Sequence, residues 1–465
     1  MANTYNDFFL SWQPDVSKLS RPYYLALANM LESDIRSGKL LPGTKLPPQR
    51  ELANYAGINF TTVTRAYDLC RDKHLIYGVT GSGTFVASLP GRDNENTENT
   101  SLIDLGVVCG FDHIKKHIVE ASDAVLKKGY LEKLYSYNAS GGHLHQKSAS
   151  VNYLQKFGVD TDEEHIALFA GAQNAISCTL LSMFNLGDRI AVDTFTYANL
   201  IGTARLAHIR LEPVAGDGDG MMPEALENKC RSQNISGIFL MPNCANPTGI
   251  TMSCERKRAL AEVIKKHHLL LIEDDLTPVT QNIPEYQSLW SLLPEQTIYI
   301  NGAYKYLCGG LRVAPAAFPE RYRERLLDGL FHLNIRISSL DAEIVTELIL
   351  SGKADALLQE KFVMAQRANQ IFNRIFPELA GYPHRESDFF RQVPLPEWCG
   401  NLRECENFFA KYGIAVQHSG RFAAGKGADR NFLRVSISSA GSEPRLRTGL
   451  SALRFALEAL KQSRK

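Results

Sequence analysis

The chain has 465 residues, with 51 Lys and Arg against 50 Asp and Glu, a net charge of +1 and 44% hydrophobic residues. It is too long for one ordinary core, which predicts two or more domains. No apolar run approaches the ~20 residues of a membrane span. The opening MANTYNDFFLSW has no basic segment leading into an apolar one, and the 9 cysteines are scattered without a CxxC pair. These features predict a cytoplasmic protein with reduced thiols, neither exported nor membrane-bound, and without a zinc or other metal site.

In chain order, RPYYLALANMLESDIRSGKL (21–40) carries Leu27, Met30, Leu31 and Ile35 at helical spacing, with Gly38 expected to stop the helix. LPGTKLPPQRELANYAG (41–57) predicts a turn and a second helix closed by Gly57. Pro47 and Pro48 are placed to open it, since proline is tolerated in a first turn. INFTTVTRAYDLCRDKHLI (58–76) predicts a third helix that buries Val63, Ala66, Tyr67 and Leu69 or Cys70. YGVTGSGTFVAS (77–88) has the alternation and glycine turn of a β-hairpin. Three helices and a hairpin make a winged helix-turn-helix, whose third helix would point its N-terminal residues at the bases of the major groove. Lys18, Arg21, Arg36, Lys39, Lys45, Arg50, Arg65, Arg71 and Lys73 outnumber Glu32, Asp34, Glu51, Asp68 and Asp72 in this stretch. That is the sign a DNA-facing surface needs. A helical protein-interaction module is the other reading of the pattern.

The runs GKLLPGTKLPPQRELA, TTVTRAY and GSGTFV resemble the DNA-binding domain of GntR-type regulators across residues 20–87. The resemblance implies that Arg50 touches phosphate or base and that Thr61, Thr62 and Arg65 work from the recognition helix. It also implies that Gly81 and Gly83 shape the wing. Phe60 departs from the pattern, because many members carry an arginine there. A contact is then missing or replaced by an apolar one.

SLPGRDNENTENTS (88–101) is polar and nearly free of apolar residues, which reads as a flexible linker. The expected division is an extension over 1–19, the winged domain over 20–87, the linker, and a large domain over 102–465. In the large domain, RIAVD (189–193), ISGIFLM (235–241), HLLLIED (268–274) and TIYIN (297–301) alternate with helical patterns such as 254–267. This predicts an α/β fold of parallel strands joined by crossover helices.

LFAGAQNAISCTLLSMF (168–184) reads as strand, small-residue turn and helix, and the amides of Ala172 and Gln173 at the helix start suit an anion. MPNCANPTG (241–249) ends a strand in Asn-Pro-Thr-Gly, and LLIEDD (270–275) carries acids out of a buried strand. In open α/β sheets ligands sit at such strand ends. In NGAYKYLCGGLR (301–312), Lys305 is expected where strand 295–300 gives way to a loop, seven residues ahead of Arg312. A lysine that forms a Schiff base and an acid that protonates a ring nitrogen are the means by which proteins hold pyridoxal phosphate. YNASGGHLHQKSA (137–149) reads as the site entrance, with His143 and His145 as surface or packing residues.

The order of these motifs resembles the fold-type I aminotransferases. Joined to the winged domain, it resembles the MocR subfamily of GntR-type transcriptional regulators. The fold implied is a winged helix-turn-helix plus an aminotransferase-like domain with a mostly parallel sheet and a smaller C-terminal α+β subdomain. Lys305 would carry pyridoxal phosphate (PLP) as a Schiff base, Asp274 would pair with its ring nitrogen and Asn246 would donate to its phenolic oxygen. Tyr197 would lie against the ring, and Arg312 with the amides of Ala172 and Gln173 would hold the phosphate. Arg434 would fork onto an effector carboxylate. Leu276, Gly302 and Tyr304 depart from the family's tyrosine, hydroxyl residue and serine, so phosphate and oxygen anchoring is thinner.

The function implied is a transcriptional regulator that senses an amino acid or related amine by aldimine exchange, as a head-to-tail homodimer on a double-stranded DNA operator. Two further readings stand beside it. One is an active aminotransferase whose DNA-binding domain regulates its own gene. The other is a regulator whose large domain has lost PLP and serves only to dimerise.

Overall fold

The computed structural model describes residues 11–462 except 38, 41–43, 74, 80–82, 88–101, 112, 114, 137–140, 276–285, 303, 383 and 426–429. The chain divides into two units, Met1–Ser101 and Leu102–Lys465. The expected linker, Gly81 and Leu276 lie outside the described residues, as do the side chain of Tyr304 and the first part of the expected site entrance.

In the first unit, helices α1 (Tyr23–Arg36), α2 (Gln49–Ala56) and α3 (Phe60–Asp72) precede an antiparallel hairpin of β1 (Ile76–Val79) and β2 (Gly83–Val86). Leu27, Leu31 and Ile35 on α1 close over Leu52, Val63, Tyr67 and Cys70. The Tyr67 hydroxyl donates to the Pro47 carbonyl at 2.9 Å, which ties the turn before α2 to α3. Gly57 ends α2 with φ of 63°, a left-handed conformation that only glycine adopts without a Cβ penalty.

Two helices are shorter than their patterns. α1 stops at Arg36, and α3 begins at Phe60 because the Asn59 side chain accepts the Thr61 N–H at 3.0 Å. Trp12, read from sequence as part of an extension, is 3% exposed within this core and donates through Nε1 to Asp34 at 2.9 Å. The packed unit therefore takes in residues before 20.

The second unit opens with β3 (Ile103–Asp104). Its main sheet draws on β4 (Ile166–Phe169), β5 (Arg189–Asp193) and β6 (Arg210–Val214). After a small hairpin, β7 (Gly216–Asp217) and β8 (Gly220–Met221), come β9 (Gly237–Leu240), β10 (Leu270–Asp275), β11 (Thr297–Asn301) and β12 (Ala314–Ala317). The order is β4-β12-β11-β10-β9-β5-β6, and β12 alone among these strands runs against its neighbours.

Strands β9 to β12 are buried at every residue, as continuous apolar runs covered on both faces must be. Along β10, Leu270 and Ile272 join Phe239, Ile298 and Ile300 on one face, while Leu271 meets Leu260 and Ile264 on the other. The C-terminal ends of β4, β9, β10 and β11 fall on one edge of the sheet, and the predicted motifs follow those ends.

The smaller subdomain is an antiparallel sheet of β13 (Phe390–Pro394), β16 (Phe432–Ser436) and β15 (Gln417–His418), packed with the helices Lys353–Ile375 and Glu443–Gln462. β14 (Ile414–Ala415) pairs in parallel with β3, so the first residues of the second unit are built into its last subdomain.

Candidate functional site

Successive residues of a strand point to opposite faces, and at the end of β10 this separates the three acids. Glu273 accepts the Leu289 and Trp290 amides at 2.9 and 2.8 Å. Asp275 accepts the hydroxyls of Tyr299, at 3.0 Å, and Tyr286. Asp274 lies on the other face. It is 3% exposed, and its Oδ1 has no hydrogen-bond partner among the described residues. Burial, with the Asp275 charge next to it, pushes the Asp274 carboxyl up to about 7, against the opposing influence of Lys305.

Asp274 and Lys305 line one cavity of about 200 Å³. Lys305 sits on a short helix, Tyr304–Cys308, and not on the loop expected from sequence; its N–H donates to the Gly302 carbonyl at 3.1 Å. The same cavity gathers Ala172, Gln173, Tyr197, Asn246 and Arg312. Seven residues predicted from separate motifs thus share one wall. Gly302, a departure from the family pattern, lines it as well and offers no hydroxyl there.

Ala172 and Gln173 open the helix Ala172–Met183, so their N–H groups have no intrahelical acceptor. Gly171 precedes them with φ of 84°, and a Cβ built there would come within 2.7 Å of Arg312 Nη2. The bare backbone lets the guanidinium close over the helix start. Tyr197 caps the helix Ala198–Leu206; burial and the nearby Asp274 charge raise its phenol. Asn199, which sequence reasoning missed, donates to the Tyr197 hydroxyl at 3.1 Å and lines the cavity. Its position two residues after the tyrosine in TYANL was the available signal.

Arg434 stands apart from the cavity wall. It is 6% exposed and lies over the Phe422 ring at 4.8 Å. Its Nη1 donates to Asn246 Oδ1 at 2.8 Å and its Nη2 to the Gly106 carbonyl at 2.6 Å and to Gln417. In this arrangement Arg434 orients the Asn246 amide. A larger cavity of about 540 Å³ has Asp193, Ala245, Thr248 and Gln392 in its wall but no lysine among the described residues that line it.

In the stretch read from sequence as the site entrance, His145 contacts Glu343 at 2.6 Å, beside Lys128 and Tyr130 at 2.9 and 2.5 Å, and it is not among the residues lining the Lys305 cavity. Among the described residues no group of three His, Cys, Asp or Glu could hold a metal ion, and no helix is long and apolar enough to cross a membrane.

In the first unit the cations separate into two classes. Lys18, Lys39, Arg71 and Lys73 each pair with a carboxylate. Lys45, Arg50 and Arg65 have no carboxylate partner among the described residues. Arg50 lies 5.8 Å from the Phe60 ring and Arg65 lies 4.3 Å from the Tyr24 ring. Lys45 crosses the wing at Gly83, where φ is 119° and a Cβ would meet Lys45 Cε at 2.9 Å. The hydroxyl of Thr61 donates to Asn59, while Thr62 is half-buried.

Two family models match: bacterial regulatory proteins of the gntR family over residues 23–86, and aminotransferase class I and II over residues 110–276. The second stops short of Lys305. The uncharacterized HTH-type transcriptional regulator YdeF of Bacillus subtilis is 37% identical over 98% of this chain and 99% of its own length. The probable rhizopine catabolism regulatory protein MocR of Rhizobium meliloti is 25% identical over 95% of each chain.

Among solved structures, LysN, the alpha-aminoadipate aminotransferase of Thermus thermophilus complexed with N-(5'-phosphopyridoxyl)-L-leucine, matches with a TM-score of 0.70 at 19% identity. That match covers 81% of this chain and 96% of LysN. Aspartate aminotransferase from Thermus thermophilus matches with a TM-score of 0.67 at 18% identity, covering 77% and 92% of the two chains. With a relative matched end to end and both family models in the same order, the chain belongs to the MocR-type HTH transcriptional regulators of the GntR family, in which a DNA-binding unit is joined to an aminotransferase-like unit.

Proposed function

We propose that this regulator holds PLP in the Lys305 cavity and uses it to sense an amino acid or related primary amine. The observation that carries the reading is Asp274, a buried carboxylate with an oxygen unpartnered among the described residues, in the same small cavity as a lysine. A protonated pyridine nitrogen would supply the missing partner and favour the ionised acid. The Gly171–Arg312 cradle at a helix N-terminus suits the phosphate in charge and in space. The bound group would supply an aldehyde carbon that one primary amine can take from another.

The chain's own residues would do the rest. Lys305 provides the amine that an effector displaces, Asp274 holds a proton at the ring nitrogen, and Tyr197 covers the ring face. Asn246, turned by Arg434, offers its amide N–H groups to the phenolic oxygen. An effector carboxylate drawn to Arg434 would compete with Asn246 Oδ1 for the guanidinium, so effector binding and the placement of Asn246 would be linked. That linkage gives two arrangements of different affinity, which is what a switch requires. The reading includes a cytoplasmic, head-to-tail homodimer on an operator contacted by Arg50, Thr61, Thr62, Arg65 and the wing glycines.

The test is a PLP titration followed by absorption, then borohydride reduction and peptide mapping. A visible band with the label on Lys305 is expected, and its loss on adding an amine identifies effectors. No band with PLP in excess, or a label on another lysine, would overturn the assignment.

A further inference from the structure

Phe60 is the first residue of α3 and is 43% exposed. The ring lies outside the hydrophobic core of its unit, on the leading turn of the recognition helix, so its exposed face is open to a partner. Its surroundings are cationic. Arg50 lies 5.8 Å from the ring, Arg65 is exposed on the same helix, and neither has a carboxylate partner among the described residues.

The polar groups near it are already engaged. Asn59 Oδ1 accepts both the N–H and the hydroxyl of Thr61, each at 3.0 Å. The single hydroxyl proton of Thr64 is shared between Gln49 Oε1 at 2.8 Å and the Phe60 carbonyl at 3.1 Å. Arg65 is laid over Tyr24 at 4.3 Å. The foremost group on this helix is therefore apolar and flanked by phosphate-seeking charge.

In the major groove, thymine is the base that offers an apolar edge, its 5-methyl group; cytosine presents an amino donor that a phenyl ring would leave unpaired. We propose that Phe60 reads one thymine in each operator half-site through its 5-methyl group, with Arg50 holding the ring against the adjacent backbone. This rests on α3 entering the major groove, and it makes Phe60 a specificity residue of the DNA-binding unit. Thymine over cytosine is the preference that follows, and methyl recognition is its physical source.

The experiment uses the full-length protein and needs no known operator. A randomised duplex pool is selected for binding and sequenced. Each thymine of the recovered site is then replaced in turn by uracil, which removes only the 5-methyl group, and affinities are measured at one fixed ionic strength. The expected result is one position per half-site where uracil weakens the wild type by about three- to fivefold, the worth of one buried methyl group.

Phe60→Ala should bind the thymine and uracil duplexes equally at that position and keep the wild-type profile elsewhere. Phe60→Gln, selected on the same pool, should move the preference there toward adenine, which a glutamine side chain can engage through two hydrogen bonds. Identical uracil profiles for wild type and Phe60→Ala would overturn the proposal, as would a loss spread evenly over all positions. Arg65→Ala separates the two levels. If it leaves affinity and salt slope unchanged, the groove docking itself fails; if it weakens binding while Phe60→Ala is silent, only the methyl contact fails.

Discussion

Asp274→Asn tests the central feature of the large unit without reference to any effector. The wild-type carboxyl moves from an ordinary 3.8 to about 7 through burial and the neighbouring Asp275. Because the folded value is the higher one, the folded state binds the extra proton between these limits, and stability falls as pH rises through them. The slope is about 1.4 kcal/mol per pH unit. Between pH 5 and 8 the cofactor-free wild type should therefore lose about 3 kcal/mol from this group, with no further loss at higher pH.

Asparagine keeps the shape and cannot titrate. The stability difference between variant and wild type should then grow by that amount between pH 5 and 8, in the variant's favour. Glu273, whose burial and neighbour Asp275 raise it to about 8, and Asp193, raised by burial to about 7, titrate in both proteins and cancel in the comparison. Urea unfolding followed by Trp290 and Trp398 fluorescence, both in the large unit, measures it. Adding PLP at pH 8 should reverse the order, since a ring cation pairs with the ionised acid and not with the amide. Parallel pH curves for the two proteins would refute the buried-acid argument. A wild type that gains nothing over the variant from PLP would refute the pairing.

Gly171→Ala should raise the PLP dissociation constant by tenfold or more in an absorbance titration, because the new Cβ would come within 2.7 Å of Arg312 and the φ of 84° strains any L residue. An unchanged constant would mean that Arg312 does not depend on this cradle. Glu343 gives a pH effect of the opposite sign. Burial alone would raise it, but hydrogen bonds from Tyr130, Gln146, His145 and Lys128 outweigh burial and bring it down to about 2. Its contribution is full above the ordinary carboxylate range and lost as pH falls toward 2, so Glu343→Gln should flatten the acid side of the stability curve, and an unchanged acid limb would count against the network.

The sequence by itself determined most of the local structure and the list of chemical groups. Strands β9, β10 and β11 were legible because a strand buried on both faces must be apolar throughout, and Gly57 marked a helix end because the left-handed turn there suits glycine. Lys305, Asp274, Asn246 and the Ala172–Gln173 helix start could each be named because each lies at or just beyond the end of a recognisable strand or turn.

What the sequence left open were quantities that depend on which surfaces meet. Trp12 reads as a residue of an N-terminal extension until α1 closes over it, and Arg434, read as an effector-carboxylate ligand, is brought by β16 to Asn246. Ile103 and Asp104 join the subdomain built from residues some 300 positions later, since strand pairing is blind to sequence distance. Nor could composition say that Asp274 is the acid with an oxygen unpartnered among the described residues while Glu273 and Asp275 accept hydrogen bonds. That choice follows from the alternation of side chains along β10 and from what packs on each face of the sheet.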